Sequence, residues 1–107
     1  MALLTPEQLG SASFRSDYGI KYAYMSGAMY KGISSEDLVV AMGKAGLMGV
    51  LGTGGLKLST IESTLKSIKE RLEPHQAFGM NLLSDPLRPE VEASIVELYF
   101  KYDVRVV

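Results

Sequence analysis

The stretch GVLGTGGLKLSTIE, residues 49–62, places four glycines within seven positions and then changes to the pattern of a helix start. We interpret GVLG as the end of a buried strand, TGG as a loop and LKLSTIE as the beginning of a helix. The Ser59 hydroxyl can accept a hydrogen bond from the backbone three residues on, while Glu62 reaches back. This order predicts one strand–loop–helix unit of a parallel α/β sheet.

Short apolar runs without helical period recur along the chain, and their starts are Tyr22, Leu47, Ala77 and Val104. Strands that are covered on both faces have this composition. The starts lie 25, 30 and 27 residues apart. Each interval suits one strand, one crossover helix and two short loops, so we predict four parallel strands.

Amphipathic patterns with their own boundary residues fill the intervals. The first helix follows Ser34, which resembles a capping pair with Asp37. The second helix starts at Ser59 and is stopped by Pro74, and the third starts near Pro89, a favourable first-turn residue. The predicted element order is therefore βαβαβαβ.

The predicted α/β fold occupies residues 19–107, after an N-terminal lead segment, residues 1–18. An open doubly wound sheet and a closed (β/α)₈ barrel both have this element order. A TIM barrel takes about 250 residues, so residues 19–107 would supply its first four strands and three helices, the N-terminal half. The outer strands of such a half-barrel are unpaired, and we expect it to self-associate or to need the missing half.

Composition excludes several classes of function. The chain has 107 residues, a net charge of −1 and no cysteine. It offers no basic field for nucleic acid, no disulfide framework and no thiolate metal site, and we predict no metal. The N-terminus lacks a signal-peptide pattern, and no apolar run approaches the roughly 20 residues that cross a membrane. We therefore predict a soluble, cytoplasmic protein with neither nucleic acid nor membrane as a partner.

The carboxyl ends of parallel strands bind ligands in both candidate architectures. SGAM (26–29), TGG (53–55) and the amide of Asn81 all fall at this edge. The glycines match neither a phosphate-binding loop nor a dinucleotide fingerprint; they form a tight turn or let the backbone approach a flat or anionic ligand. Asn81 either links two loops or meets a ligand, because its amide both donates and accepts.

Two segments together, GAMYKGISSEDLVVAMGKAGLMGVLGTGGL (27–56) and FGMNLL (78–83), resemble the flavin-dependent nitronate monooxygenase and enoyl reductase superfamily. The resemblance is closest to the trans-acting enoyl reductases of bacterial polyketide and polyunsaturated fatty acid synthases, and it runs from about Phe14 to the last residue. It implies an FMN-binding TIM barrel in which the flavin lies across the carboxyl ends of the strands.

The resemblance also implies cofactor-binding residues. Gly27, Ala28 and Met29 would lie under or beside the isoalloxazine ring, Thr53 and Gly54 at its next loop, and Asn81 at the ring or ribityl edge. The phosphate site and the catalytic residues would lie beyond residue 107. His75, the single histidine, would lie at the opposite face of a barrel.

The same resemblance implies that the protein would reduce enoyl thioesters carried on acyl carrier protein, with NADPH or NADH passing hydride to FMN and the flavin passing it to the substrate. A nitronate monooxygenase is an alternative that keeps the flavin. An inactive half-barrel or a self-associating interaction piece is an alternative from another class.

Overall fold

The computed structural model describes residues 3–107. Two 3₁₀ turns, four α-helices and three β-strands follow one another along this part of the chain. In chain order they are a 3₁₀ turn at Pro6–Gln8, α1 (Ala12–Tyr18), β1 (Met25–Ser26), a 3₁₀ turn at Tyr30–Gly32, α2 (Glu36–Lys44), β2 (Met48–Leu51), α3 (Leu58–Arg71), β3 (Phe78–Met80) and α4 (Pro89–Lys101). None of the helices in residues 3–107 has the length and apolar character to span a membrane.

The three strands form one parallel sheet in the order β1-β2-β3. Ser26 pairs with Gly49, and Leu51 pairs with Met80. α2 connects β1 to β2, and α3 connects β2 to β3, as expected for parallel strands. The predicted α/β class is confirmed, whereas closure of the sheet into a TIM barrel stays a prediction.

The strand predicted from Val104 is wrong for the described residues, because residues 104–107 form no strand. α4 is followed by a turn in which Asp103 has a left-handed φ of 52°. After this turn, the Met80 N–H of β3 donates to the Val106 carbonyl at 3.0 Å. One such bond places the end of the chain beside β3 without building a ladder.

Two predicted helix caps are also wrong. Ser35, not Ser34, caps α2, since its Oγ accepts from the Leu38 N–H at 3.2 Å. α3 begins at Leu58 without a side-chain cap, so Ser59 lies inside the helix. The start of α4 at Pro89 is confirmed.

The predicted lead segment, residues 1–18, contains a helix that the apolar pattern did not reveal. Residues 1 and 2 of this segment lie outside the described part of the chain. Ser11 accepts from the Phe14 N–H at 3.2 Å and so caps α1. Gly19 ends α1 in the left-handed conformation, with a φ of 65°. The serine and glycine are ordinary helix boundary signals, and between them lie only seven residues.

The hydrophobic core lies between the sheet and the last three helices. Leu51 and Met80, which are register partners on β2 and β3, point into it. The other buried side chains of the core come from the helices and from Leu72, the residue after α3; those on the helices are Val39, Val40, Ile61, Leu65, Ile68, Leu98 and Tyr99. This face of the sheet is therefore closed by helices, and the loops after the strands are held at one end of the packed layers.

Candidate site at the carboxyl ends of the strands

The loops after β1 and β2 are joined by backbone hydrogen bonds. The Lys31 N–H donates to the Gly54 carbonyl at 2.8 Å, and the Gly32 N–H donates to the Gly52 carbonyl at 2.9 Å. Ser34, which is fully buried, donates from Oγ to the Val50 carbonyl at 2.6 Å. The first loop is therefore fixed to both the second loop and β2.

The loops after β2 and β3 are joined through Thr53 and Asn81. The Thr53 N–H donates to Asn81 Oδ1 at 2.7 Å. Thr53 Oγ1 lies 2.5 Å from the same oxygen and 3.0 Å from the Asn81 carbonyl. The predicted convergence of Thr53, Gly54 and Asn81 at one edge of the sheet is therefore present, and Asn81 does link two loops.

The glycines of the second loop are needed for packing against the first. A Cβ at Gly52 would lie 1.5 Å from the Met29 carbonyl oxygen, so no side chain fits there. A Cβ at Gly54 would lie 2.8 Å from both the Tyr30 ring and Leu83. Gly55 has a φ of 76°, which disfavours other residues. The backbone of residues 52–55, which carries few side chains, thus leaves room for residues 29–31. Packing within the chain is therefore enough to explain these glycines, and no ligand is needed to explain them.

Gly27 differs from these glycines. A Cβ there would meet nothing within 4 Å, and its φ is not in the left-handed region. Within the described chain, neither packing nor backbone conformation requires a glycine at this position. Ala28 is half-buried and Met29 is 41% exposed. Space therefore remains beside residues 27–29, where the resemblance places a flat ring.

Tyr99 completes the site and was missed from the sequence. Its side chain is 4% exposed, and its hydroxyl donates to the Asn81 carbonyl at 2.7 Å. Burial raises the pKa of Tyr99 above its ordinary value, so the hydroxyl stays protonated at neutral pH. Tyr99 follows Ile95 by four residues and so shares its helix face, but this spacing predicts only burial, not contact with Asn81.

His75 lies away from this site. It lines a cleft of about 590 Å³ together with Phe78, the first residue of β3, and residues near the chain end such as Arg105. The cleft is therefore at the amino end of β3, whereas Asn81 follows its carboxyl end. Residues 3–107 contain no group of three or more acidic, histidine or cysteine side chains that could hold a metal ion.

Comparisons with known proteins identify relatives of the chain, although no family model matches it. The chain is 41% identical over 104 residues to the polyketide biosynthesis protein PksE of Bacillus subtilis. It is 45% identical over 98 residues to the polyketide biosynthesis protein ThaF of Burkholderia thailandensis. It is 36% identical over 99 residues to one of the polyunsaturated fatty acid synthase proteins of a Thraustochytrium species. These alignments cover 97%, 92% and 92% of the chain but only 14%, 8% and 6% of the relatives.

A solved structure is also similar. The enoyl reductase domain of MlnA, from the macrolactin biosynthesis cluster of Bacillus amyloliquefaciens, matches with a TM-score of 0.89 and 44% identity, over 92% of the chain and 23% of the MlnA chain. The resemblance stated from the sequence is therefore confirmed at this level. The chain is similar to a short part of an enoyl reductase domain and of polyketide and polyunsaturated fatty acid synthase proteins.

Proposed function

We propose that the chain supplies one edge of the active site of an FMN-dependent enoyl reductase that acts on enoyl thioesters carried by acyl carrier protein in polyketide or polyunsaturated fatty acid biosynthesis. The observation that carries the proposal is the Asn81 amide, held by Thr53 at the carboxyl end of the sheet. The similarity to the MlnA enoyl reductase domain supports the reaction class.

The residues present fit a flavin. The open space at Gly27 suits a planar ring that approaches the backbone, and Ala28 and Met29 border it. The Asn81 amide nitrogen makes no hydrogen bond within residues 3–107, while the flavin ring and its ribityl chain carry acceptor oxygens. When bound, FMN would take hydride from NADPH or NADH and deliver it to the enoyl thioester.

Thr53 and Gly54 contribute in a different way from Asn81. The backbone N–H and the hydroxyl of Thr53 are both engaged by Asn81, and Thr53 is 5% exposed. Gly54 is buried beneath Tyr30 and Leu83. We therefore assign both residues to shaping the loop, and Gly27, Ala28, Met29 and Asn81 to direct contact with the ring.

Binding of FMN to the 107-residue chain is the first test. Ring contacts without phosphate contacts lack the charge-assisted hydrogen bonds that strengthen nucleotide binding. We expect a colourless protein whose Kd for added FMN is in the high-micromolar range. This corresponds to a binding free energy of about −5 to −6 kcal/mol. Fluorescence titration measures this value, with Gly27→Leu as the variant that fills the open space. Equal binding by this variant would show that the ring lies elsewhere.

Turnover by the reductase that contains this chain is the second test. We expect NAD(P)H-dependent reduction of a crotonyl thioester on acyl carrier protein, measured as the loss of enoyl thioester absorbance. A nitronate with oxygen serves as the competing substrate. Turnover of the nitronate alone would replace the reductase assignment with a nitronate monooxygenase.

A further inference from the structure

We infer that Tyr99 is a positioning residue, which holds Asn81 so that its amide nitrogen faces the ligand with both N–H groups available. The identity of that ligand rests on the proposed function, but the positioning itself does not. Tyr99 lies on α4, eighteen residues beyond Asn81, and its hydroxyl reaches the Asn81 carbonyl at 2.7 Å.

The acceptor atoms of Asn81 are filled by protein donors. Tyr99 donates to the Asn81 carbonyl at 2.7 Å, and we assign the single hydroxyl proton of Thr53 to Oδ1, which lies nearer to Thr53 Oγ1 at 2.5 Å than that carbonyl does at 3.0 Å. Oδ1 also accepts from the Thr53 N–H at 2.7 Å. An amide oxygen has two lone pairs, so neither remains for a ligand.

The orientation of the Asn81 amide follows from these bonds. A backbone N–H can only donate, so the atom that faces the Thr53 N–H must be oxygen, and the nitrogen points the other way. Within residues 3–107 this nitrogen has no hydrogen-bond partner, and it is not a buried atom. Asn81 therefore presents two donors and no acceptor.

Tyr99 favours the bond from the Thr53 hydroxyl to Oδ1, because Tyr99 already donates to the competing acceptor, the Asn81 carbonyl. If its hydroxyl is removed, the Thr53 hydroxyl can move from Oδ1 to the Asn81 carbonyl, which lies 3.0 Å away. Oδ1 then keeps only the Thr53 N–H, and the side chain gains freedom to rotate. Tyr102 on the same side of the sheet offers a matched control, because its hydroxyl donates to Glu62 at 2.7 Å and not to the site.

Nuclear magnetic resonance of the ¹⁵N-labelled chain tests the positioning without a ligand. We expect the order parameter of the Asn81 side-chain amide to approach that of a rigid backbone, about 0.85, and to fall below about 0.6 in Tyr99→Phe but not in Tyr102→Phe. A mobile amide in the unsubstituted chain, or no change in Tyr99→Phe, overturns the inference. The first of these outcomes needs no variant, so it stands even if Tyr99→Phe does not fold.

A titration with FMN, followed by the same spectra, tests the consequence for binding. We expect Tyr99→Phe to raise the Kd about three- to tenfold, and to have no further effect in an Asn81→Ala background, because the inferred action of Tyr99 and of its neighbour Thr53 on the ligand passes through the Asn81 side chain. A residue that merely stabilised the fold would weaken binding equally in both backgrounds, and that result would refute the inference. Absence of FMN binding by the unsubstituted chain and by every variant would contradict the proposed ring contacts, while the order parameters would still decide the role of Tyr99.

Discussion

The oxygen and the nitrogen of the Asn81 side-chain amide have different surroundings. Its oxygen is enclosed by Thr53, and its nitrogen is free within the described chain. The sequence indicates an amide at the end of an apolar strand, so the position of Asn81 could be predicted. The donor-only character could not, because it depends on Thr53, which is 28 residues distant, and on Tyr99.

Replacing Asn81 with aspartate separates the two ends. Asn81→Asp keeps an oxygen for the Thr53 N–H but exchanges the free donor for an acceptor. We expect near-native stability and at least a fivefold loss of FMN affinity, since each lost hydrogen bond contributes about 1 kcal/mol. Asn81→Ala also leaves the Thr53 N–H unpaired, which costs about 1–3 kcal/mol of stability. Urea denaturation and FMN titration of both variants measure the difference; unimpaired binding by Asn81→Asp would contradict a donor role.

Gly52 and Gly27 form a second pair of tests at the residue scale. Gly52→Ala would drive a methyl group into the Met29 carbonyl, so we expect a loss of at least about 3 kcal/mol in the free energy of unfolding. Gly27→Ala adds a methyl group to open space and should change stability by less than about 0.5 kcal/mol. Urea denaturation checks both values. Similar losses in the two variants would mean that the loops are packed differently.

At the scale of elements, periodicity predicted α2, α3 and α4, because each buries a regular apolar stripe in the core. The caps were less predictable, since neighbouring serines compete for the same role. The Ser34 hydroxyl donates to the Val50 carbonyl and does not cap α2. Ser35 caps this helix instead. Only the folded arrangement of β2 against this loop decides between the two serines.

The contact between α3 and the end of α4 should make stability depend on pH. The Tyr102 hydroxyl and Lys101 donate to the Glu62 carboxylate, and these bonds hold the pKa of Glu62 below its ordinary value. A lowered pKa in the folded state stabilises the protein above the unfolded pKa of about 4.3, and this contribution is lost as the pH falls through the folded value.

We therefore expect Glu62→Gln to lose less stability than the unsubstituted chain between about pH 5 and pH 3. The variant is already less stable at pH 7, so the two curves should converge on the acid side. Glu70→Gln on the same helix is the control, since Glu70 makes no ion pair within residues 3–107. Urea denaturation at a series of pH values gives the curves, and parallel curves would remove Glu62 from this role.

For the whole molecule, the repeat of apolar runs predicted the α/β class and four parallel strands, of which three are present in the described residues. The fourth run, from Val104, has strand composition, but after the Asp103 turn it is joined to β3 by the bond from the Met80 N–H to the Val106 carbonyl and forms no ladder. A strand forms only where a neighbouring strand can pair with it, and the composition of a segment does not show whether such a neighbour is present.

The same end of the molecule exposes apolar surface that should drive self-association of the 107-residue chain. Phe100 is 81% exposed and Val107 is 69% exposed, and together with Leu82, Val96 and Val104 they border an apolar cavity of about 190 Å³. Clustered apolar side chains of this kind associate in water, because each Å² of apolar surface that is buried contributes about 25 cal/mol of favourable free energy. We expect the chain to elute as a dimer or larger species at tens of micromolar in size-exclusion chromatography with light scattering.

Two substitutions decide whether this surface is responsible. Phe100→Glu places a charge at its most exposed side chain and should shift the chain to a monomer, because burying an unpaired carboxylate is costly. Leu4→Glu changes an exposed leucine, 76% accessible, outside the group that borders the cavity, and should leave the association unchanged. A monomeric unsubstituted chain would contradict the prediction outright. If both variants dissociate equally, the association arises from the general hydrophobicity of the surface. That result would contradict a specific contact at α4.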